Sequence, residues 1–144
     1  MNTFQRISIL LVSLLLLTAC GPAQLTVTGA WARPADEGGN SAVYFVINNP
    51  LDAEDTLLRV EANVAEAVEI HMTSMLDEEG DVMGMMPMDN VAVPAGGSVA
   101  FEPGGLHVML VDLNQPLEPD SEVFLRLVFE NAGEITLTVP VGQR

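Results

Sequence analysis

The chain has 144 residues, with twenty Asp and Glu against five Arg and no Lys, giving a formal net charge of −15. So acidic a surface repels nucleic acid and anionic lipid headgroups, which excludes both as charge-driven partners. With a single cysteine, Cys20, the chain has no internal disulfide.

Residues 1–19 read as a secretory signal. Arg6 supplies the positive start, and Ile9 to Leu17 form an apolar run broken only by Ser13, too short to span a bilayer as a stable helix. The run ends in Leu17-Thr18-Ala19-Cys20, which resembles the bacterial lipobox. That resemblance implies cleavage before Cys20, lipidation of its sulfur, and an extracytoplasmic protein anchored to the bacterial cell membrane through acyl chains. Residues 20–24 would be a lipidated tether, and 25–144 one domain, large enough to bury a core. Lipidation consumes the one thiol, so any soft-metal chemistry is left to methionine and histidine.

Beyond the tether, apolar residues recur with period two in short runs separated by Gly, Pro, Asn and Asp, the pattern of antiparallel strands and turns. The runs predict strands at Leu25–Trp31, Ala42–Ile47, Thr56–Val60, Ala67–Met72 and Val82–Met86. Five more follow at Val91–Val93, Ser98–Phe101, His107–Val111, Val123–Phe129 and Glu134–Val139. Asn49-Pro50, Pro94-Ala95-Gly96-Gly97, Pro103-Gly104-Gly105 and Asn131-Ala132-Gly133 punctuate them as turns. This many short strands in one domain predict an all-β Greek-key sandwich or barrel.

Six methionines, Met72, Met75, Met83, Met85, Met86 and Met88, crowd into the stretch from 72 to 88. His71 and His107, the only histidines, flank them, and Met109 follows His107 by two. Thioether sulfur is soft and neutral and suits Cu(I) while competing poorly for Zn, Mg or Ca; imidazole suits copper in either oxidation state. On a strand, residues i and i+2 share a face, so His107-Val108-Met109 sets imidazole beside thioether, and Met83-Gly84-Met85 sets two thioethers together. Packing alone does not account for the cluster, because Met85, Met86 and Met88 occupy both parities and some must be exposed. The acidic run Asp77-Glu78-Glu79-Gly80-Asp81 reads as a solvated turn without the ligand spacing of an EF-hand.

The stretch from His71 through Met83-Gly84-Met85 and Val93-Pro94-Ala95-Gly96-Gly97 to Pro103-Gly104-Gly105-Leu106-His107-Val108-Met109-Leu110 resembles the PCu(A)C family of periplasmic copper chaperones. Ala30-Trp31-Ala32-Arg33-Pro34 and Ser41-Ala42-Val43-Tyr44 resemble it too. The resemblance implies a cupredoxin-like sandwich that binds one Cu(I) in an exposed site at His71, Met85, His107 and Met109. Twenty-one residues separate Met85 from His107, as in the family, whereas the thirteen between His71 and Met85 exceed the family pattern by three. A turn lengthened at Leu76–Asp81 accounts for the excess and leaves Met83 or Met72 as alternative ligands, while Met75, Met86 and Met88 matter little to that site. The resemblance further implies delivery of copper for assembly of the binuclear centre of cytochrome c oxidase, with the oxidase copper subunit or a Sco-type protein as partner.

Other functions fit less well. A blue-copper electron carrier needs a thiolate ligand, and the one cysteine is at the lipobox. Two histidines, with no lysine and no free thiol, leave few nucleophile and base arrangements, so the chain is expected not to be an enzyme. A copper-sequestering or structural β-sandwich lipoprotein is the alternative; sequestering differs from delivery only in whether the metal leaves.

Overall fold

The computed structural model describes residues 23–75 and 83–142. The expected signal, Cys20 and the acidic run Asp77–Asp81 lie outside the described residues. So does the turn expected to be lengthened.

Among the described residues, alternating apolar residues bounded by turn formers fold into ten strands: β1 (Thr26–Ala32), β2 (Ser41–Asn48), β3 (Asp55–Ala62), β4 (Ala65–Met75), β5 (Met83–Met88), β6 (Val91–Val93), β7 (Ser98–Phe101), β8 (Leu106–Leu113), β9 (Glu122–Phe129) and β10 (Glu134–Pro140). β6 and β7 have the limits read from the sequence. β5 runs two residues further, through Pro87, because it is an edge strand, where a missing backbone donor leaves no ladder bond unmade.

The strands form two sheets. One has six strands in the order β1-β2-β7-β8-β4-β5, with β2 also pairing β8; the other has four in the order β10-β9-β3-β6. The chain passes repeatedly between them, so β3 and β4 lie in different sheets while β3 pairs with β9. The result is the all-β, Greek-key sandwich that the strand pattern predicts.

The core is the layer between the sheets. Val43, Phe45 and Ile47 of β2, Ile70 of β4, and Val108 and Leu110 of β8 meet Leu57 and Val60 of β3, Leu125 and Leu127 of β9, and Val139 of β10. Phe45 stacks on Phe101 with ring centroids 4.4 Å apart. Burying each such side chain contributes about 1.5–3 kcal/mol, so this inner layer holds the sandwich together. The alternate residues of β2, β4 and β8 are thereby turned to the outer face of the six-stranded sheet.

Candidate metal centre

Strand register assembles the site on that outer face. In the β4–β8 ladder His71 stands opposite His107, and Glu69 opposite Met109. In the β4–β5 ladder Thr73 stands opposite Met85 and His71 opposite Pro87. β2 closes the other side, with Ala42 opposite Met109. His71, Met85, His107 and Met109 thus lie on one face across three adjacent strands, although 37 residues separate the outermost two.

The two imidazoles meet edge to face, with ring centroids 5.8 Å apart and planes at 76°. His107 is buried, 5% exposed, under Tyr44, whose ring is 6.5 Å from it and packs in turn against Trp31 at 4.6 Å. The expectation of an exposed site therefore holds at Met85, which is 57% exposed on its edge strand, and not at His107. The difference is positional: β8 lies inside the sheet between β2 and β4, and β5 has a neighbour on one side only. A cavity of about 540 Å³ opens here, with Tyr44, Thr73, Met85, His107 and Met109 on its wall and Arg33 among the residues around it.

Hydrogen bonds orient both rings. Nδ1 of His107 lies 3.1 Å from the carbonyl oxygen of Gly105. A carbonyl only accepts, so this nitrogen carries the proton, and in the neutral ring the lone pair is on Nε2. The Pro103-Gly104-Gly105 turn, in which Gly104 has φ +83°, presents that carbonyl, which also accepts from the backbone N–H of Thr73 at 3.1 Å. His71 is arranged the opposite way: its Nε2 donates to Oε2 of Glu69 at 2.7 Å, which leaves the lone pair on Nδ1. Nδ1 of His71 is buried and has no hydrogen-bond partner, the one such side-chain atom among the described residues.

A buried nitrogen lone pair without a donor costs about 1–3 kcal/mol, and a metal ion is a group that would satisfy it. The carboxylate behind it matches the usual outer partner of a metal-binding histidine. Among the described residues no three His, Cys, Asp or Glu converge, so a site here has to recruit thioethers, and thioether with imidazole is a donor set for copper. The residues present fit that metal.

Met72 has the other parity. It pairs with Leu106 and with Met86, on the inner side of the sheet, because one step along a strand reverses the face. It does not stand with His71 and cannot replace it from there. The backbone of Met83 pairs with Met75 at the far end of the hairpin. Glu69 is a site residue that sequence reasoning did not single out. The signal was present, since Glu69-Ile70-His71 has the same i, i+2 relation as His107-Val108-Met109.

Comparison with known proteins gives concordant results. The family model described as LpqE-like, a lipoprotein family, matches residues 25–141. Lxx21020 of Leifsonia xyli subsp. xyli, named as a lipoprotein, is 25% identical over 115 residues, covering 80% of this chain and 68% of that protein. Among solved structures, the copper-bound PCuAC domain from PmoF2 superposes with a TM-score of 0.69 at 26% identity, covering 86% of this chain and 97% of that one. DR1885 from Deinococcus radiodurans in its Cu(I) form has a TM-score of 0.63 at 23% identity, over 90% of this chain and 86% of that one, a likeness of fold.

Proposed function

The chain belongs to the LpqE-like lipoprotein family, and on that premise we propose that it is an extracytoplasmic Cu(I) metallochaperone, a carrier and not an enzyme. Its fold is that of PCuAC domains, and likeness to a copper-bound one at 26% identity supports copper as the cargo. The observation that carries the proposal is the buried, partnerless Nδ1 of His71 beside the His107 ring, on the face shared with Met85 and Met109. In this reading His71 Nδ1 and His107 Nε2 supply nitrogen, and Met85 and Met109 supply sulfur. The two thioethers favour Cu(I) over Cu(II) and over Zn(II).

The set is graded in exposure, which suits transfer. His107 is enclosed and oriented by the Gly105 carbonyl, while Met85 sits on an open edge. An incoming ligand from a client would displace Met85 first, and the buried His107 imidazole, with His71 beside it, would hold the ion until the exchange is complete. Copper would pass to an apo copper protein, the oxidase copper subunit or a Sco-type protein, for assembly of the binuclear centre of cytochrome c oxidase. Lipidated Cys20 would keep the carrier at the membrane where such clients reside; the lipoprotein names of the family and its relative support that location.

Chelator-competition titration of single-alanine variants, with fold checked by circular dichroism, tests the donor set. His107→Ala, Met109→Ala, Met85→Ala and His71→Ala should each lose Cu(I) affinity strongly, and Met75→Ala should not. Wild-type affinity in a folded His107→Ala or Met109→Ala protein would place the copper elsewhere. Incubating the loaded protein with an apo oxidase copper domain tests delivery, since retention of the metal would make it a sequestering protein.

A further inference from the structure

The hairpin that lends Met85 to the outer face carries three more methionines on its inner face. Met72 of β4 pairs directly with Met86 of β5, and Met88, two residues on, stands opposite Ile70. Directly opposed residues in an antiparallel pair have Cβ atoms about 4.5–5.5 Å apart, and residues i and i+2 of a strand lie about 7 Å apart. Three thioethers on long, flexible stems therefore lie within reach of one another.

An inner-face position in a sandwich is ordinarily covered by the facing sheet, as Ile70 is, at 4% exposed. β5 is different because it is the last strand of its sheet. Met86 is 49% exposed and Met88 36%, and Met88 lines a groove of about 250 Å³ with Val60, Val68 and Ile70 and with the charged Arg59, Glu69 and Asp89. Core filling does not explain side chains that are left this open. Exposed thioethers outside the cytoplasm are also subject to sulfoxide formation. Leucine would have filled the same space without that risk.

We propose that Met72, Met86 and Met88 form a second Cu(I) site, made of thioethers alone, on the inner face of the β4–β5 hairpin. It is independent of the outer-face set, shares no ligand with it, and takes a soft monovalent ion because its donors are neutral sulfur. Without an imidazole it binds more weakly than the first site. Met85 and Met86 are consecutive residues of an edge strand and point to opposite faces, so copper moving between the two sites passes around an open sheet edge and not through the packed sheet.

Anaerobic Cu(I) titration of the full chain against chelators of graded strength tests this. The expected result is two equivalents, one tight and one weak. Met86→Leu/Met88→Leu, which keeps volume and apolarity, should lose the weak equivalent and retain the tight one. The single variant Met86→Leu, at a half-exposed position where folding is not at stake, should also lose the weak equivalent. His107→Ala should lose the tight equivalent and retain the weak one, with a copper X-ray absorption spectrum fitted by sulfur alone. One equivalent at saturation in the wild type, or a weak equivalent unchanged in both leucine variants, overturns the second site. An unchanged tight equivalent in His107→Ala overturns the outer-face set instead.

Discussion

At the scale of single residues, the arrangement turns on where two imidazole protons sit. The Gly105 carbonyl accepts a hydrogen bond from Nδ1 of His107, and Glu69 accepts one from Nε2 of His71, so the two rings present different nitrogens. Glu69 is half-exposed, with a side chain 48% accessible, and contributes little as an ion pair with His71. Its effect is on the orientation of the ring. Glu69→Gln keeps the size of the side chain but weakens the acceptor, and Cu(I) affinity should fall by about tenfold or more, within the range of outer-partner substitutions at metal sites. Titration beside Glu66→Gln, an exposed change on the other parity of β4, checks this; equal affinities in the two variants would show that Glu69 does not position His71.

At the scale of elements, one end of the inner layer is secured by two buried polar residues, Asn49 and Asp55. Asn49, 1% exposed, donates to the carbonyls of Ala53 at 2.9 Å and Val93 at 3.2 Å. Asp55, at the start of β3, ties that strand to the β9–β10 turn, accepting from the backbone N–H of Asn131 at 2.9 Å, Ala132 at 2.7 Å and Thr56 at 2.7 Å. Burial pushes the Asp55 carboxyl up, but these three N–H groups, helped by the Asn131 side chain, outweigh burial and hold it below its ordinary value of 3.8. A carboxyl with a lowered value in the folded state adds stability above its unfolded value, and that stability is lost as pH falls through the folded one. Asp55→Asn should therefore cost about 2–3 kcal/mol near neutral pH. The difference from wild type should shrink below about pH 4. Urea denaturation of both proteins across pH measures it, and a gap that widens in acid would contradict the assignment.

On the scale of the whole molecule, the core and the proposed histidine–methionine set occupy opposite faces of one sheet. Val108 and Leu110 of β8 build the core while His107 and Met109 of the same strand face the cavity, so neither side chain of the pair fills the space between the sheets. The proposed donors come from β4, β5 and β8 and stand together only once that sheet has formed. Binding to the folded state alone shifts its stability by mass action, about 4 kcal/mol at a free Cu(I) concentration a thousand times the dissociation constant. Loading should accordingly raise the melting temperature of the wild type and leave that of His107→Ala/Met109→Ala much less changed. Calorimetry with and without Cu(I) checks this, and an equal rise in both proteins would separate copper binding from the outer face.

Strand alternation is local, and with it the sequence determined the ten strands, the sandwich class and the pairing of His107 with Met109 on one face. The concentration of methionine between Met72 and Met88, with one cysteine in the chain, was also enough to indicate a soft metal. What the tertiary structure alone decided is which strands become neighbours. β8 lies between β2 and β4, which buries His107 beneath Tyr44 and sets it against His71, whereas β5 lies at an edge, which leaves Met85 and Met86 open on either face. Inter-strand register depends on contacts between residues far apart in the chain, so spacing alone left Met72 and Met83 as rivals of His71. The ladder puts Met72 on the reverse side, because a side chain's face is set by the parity of its own strand and its company by the register of the next.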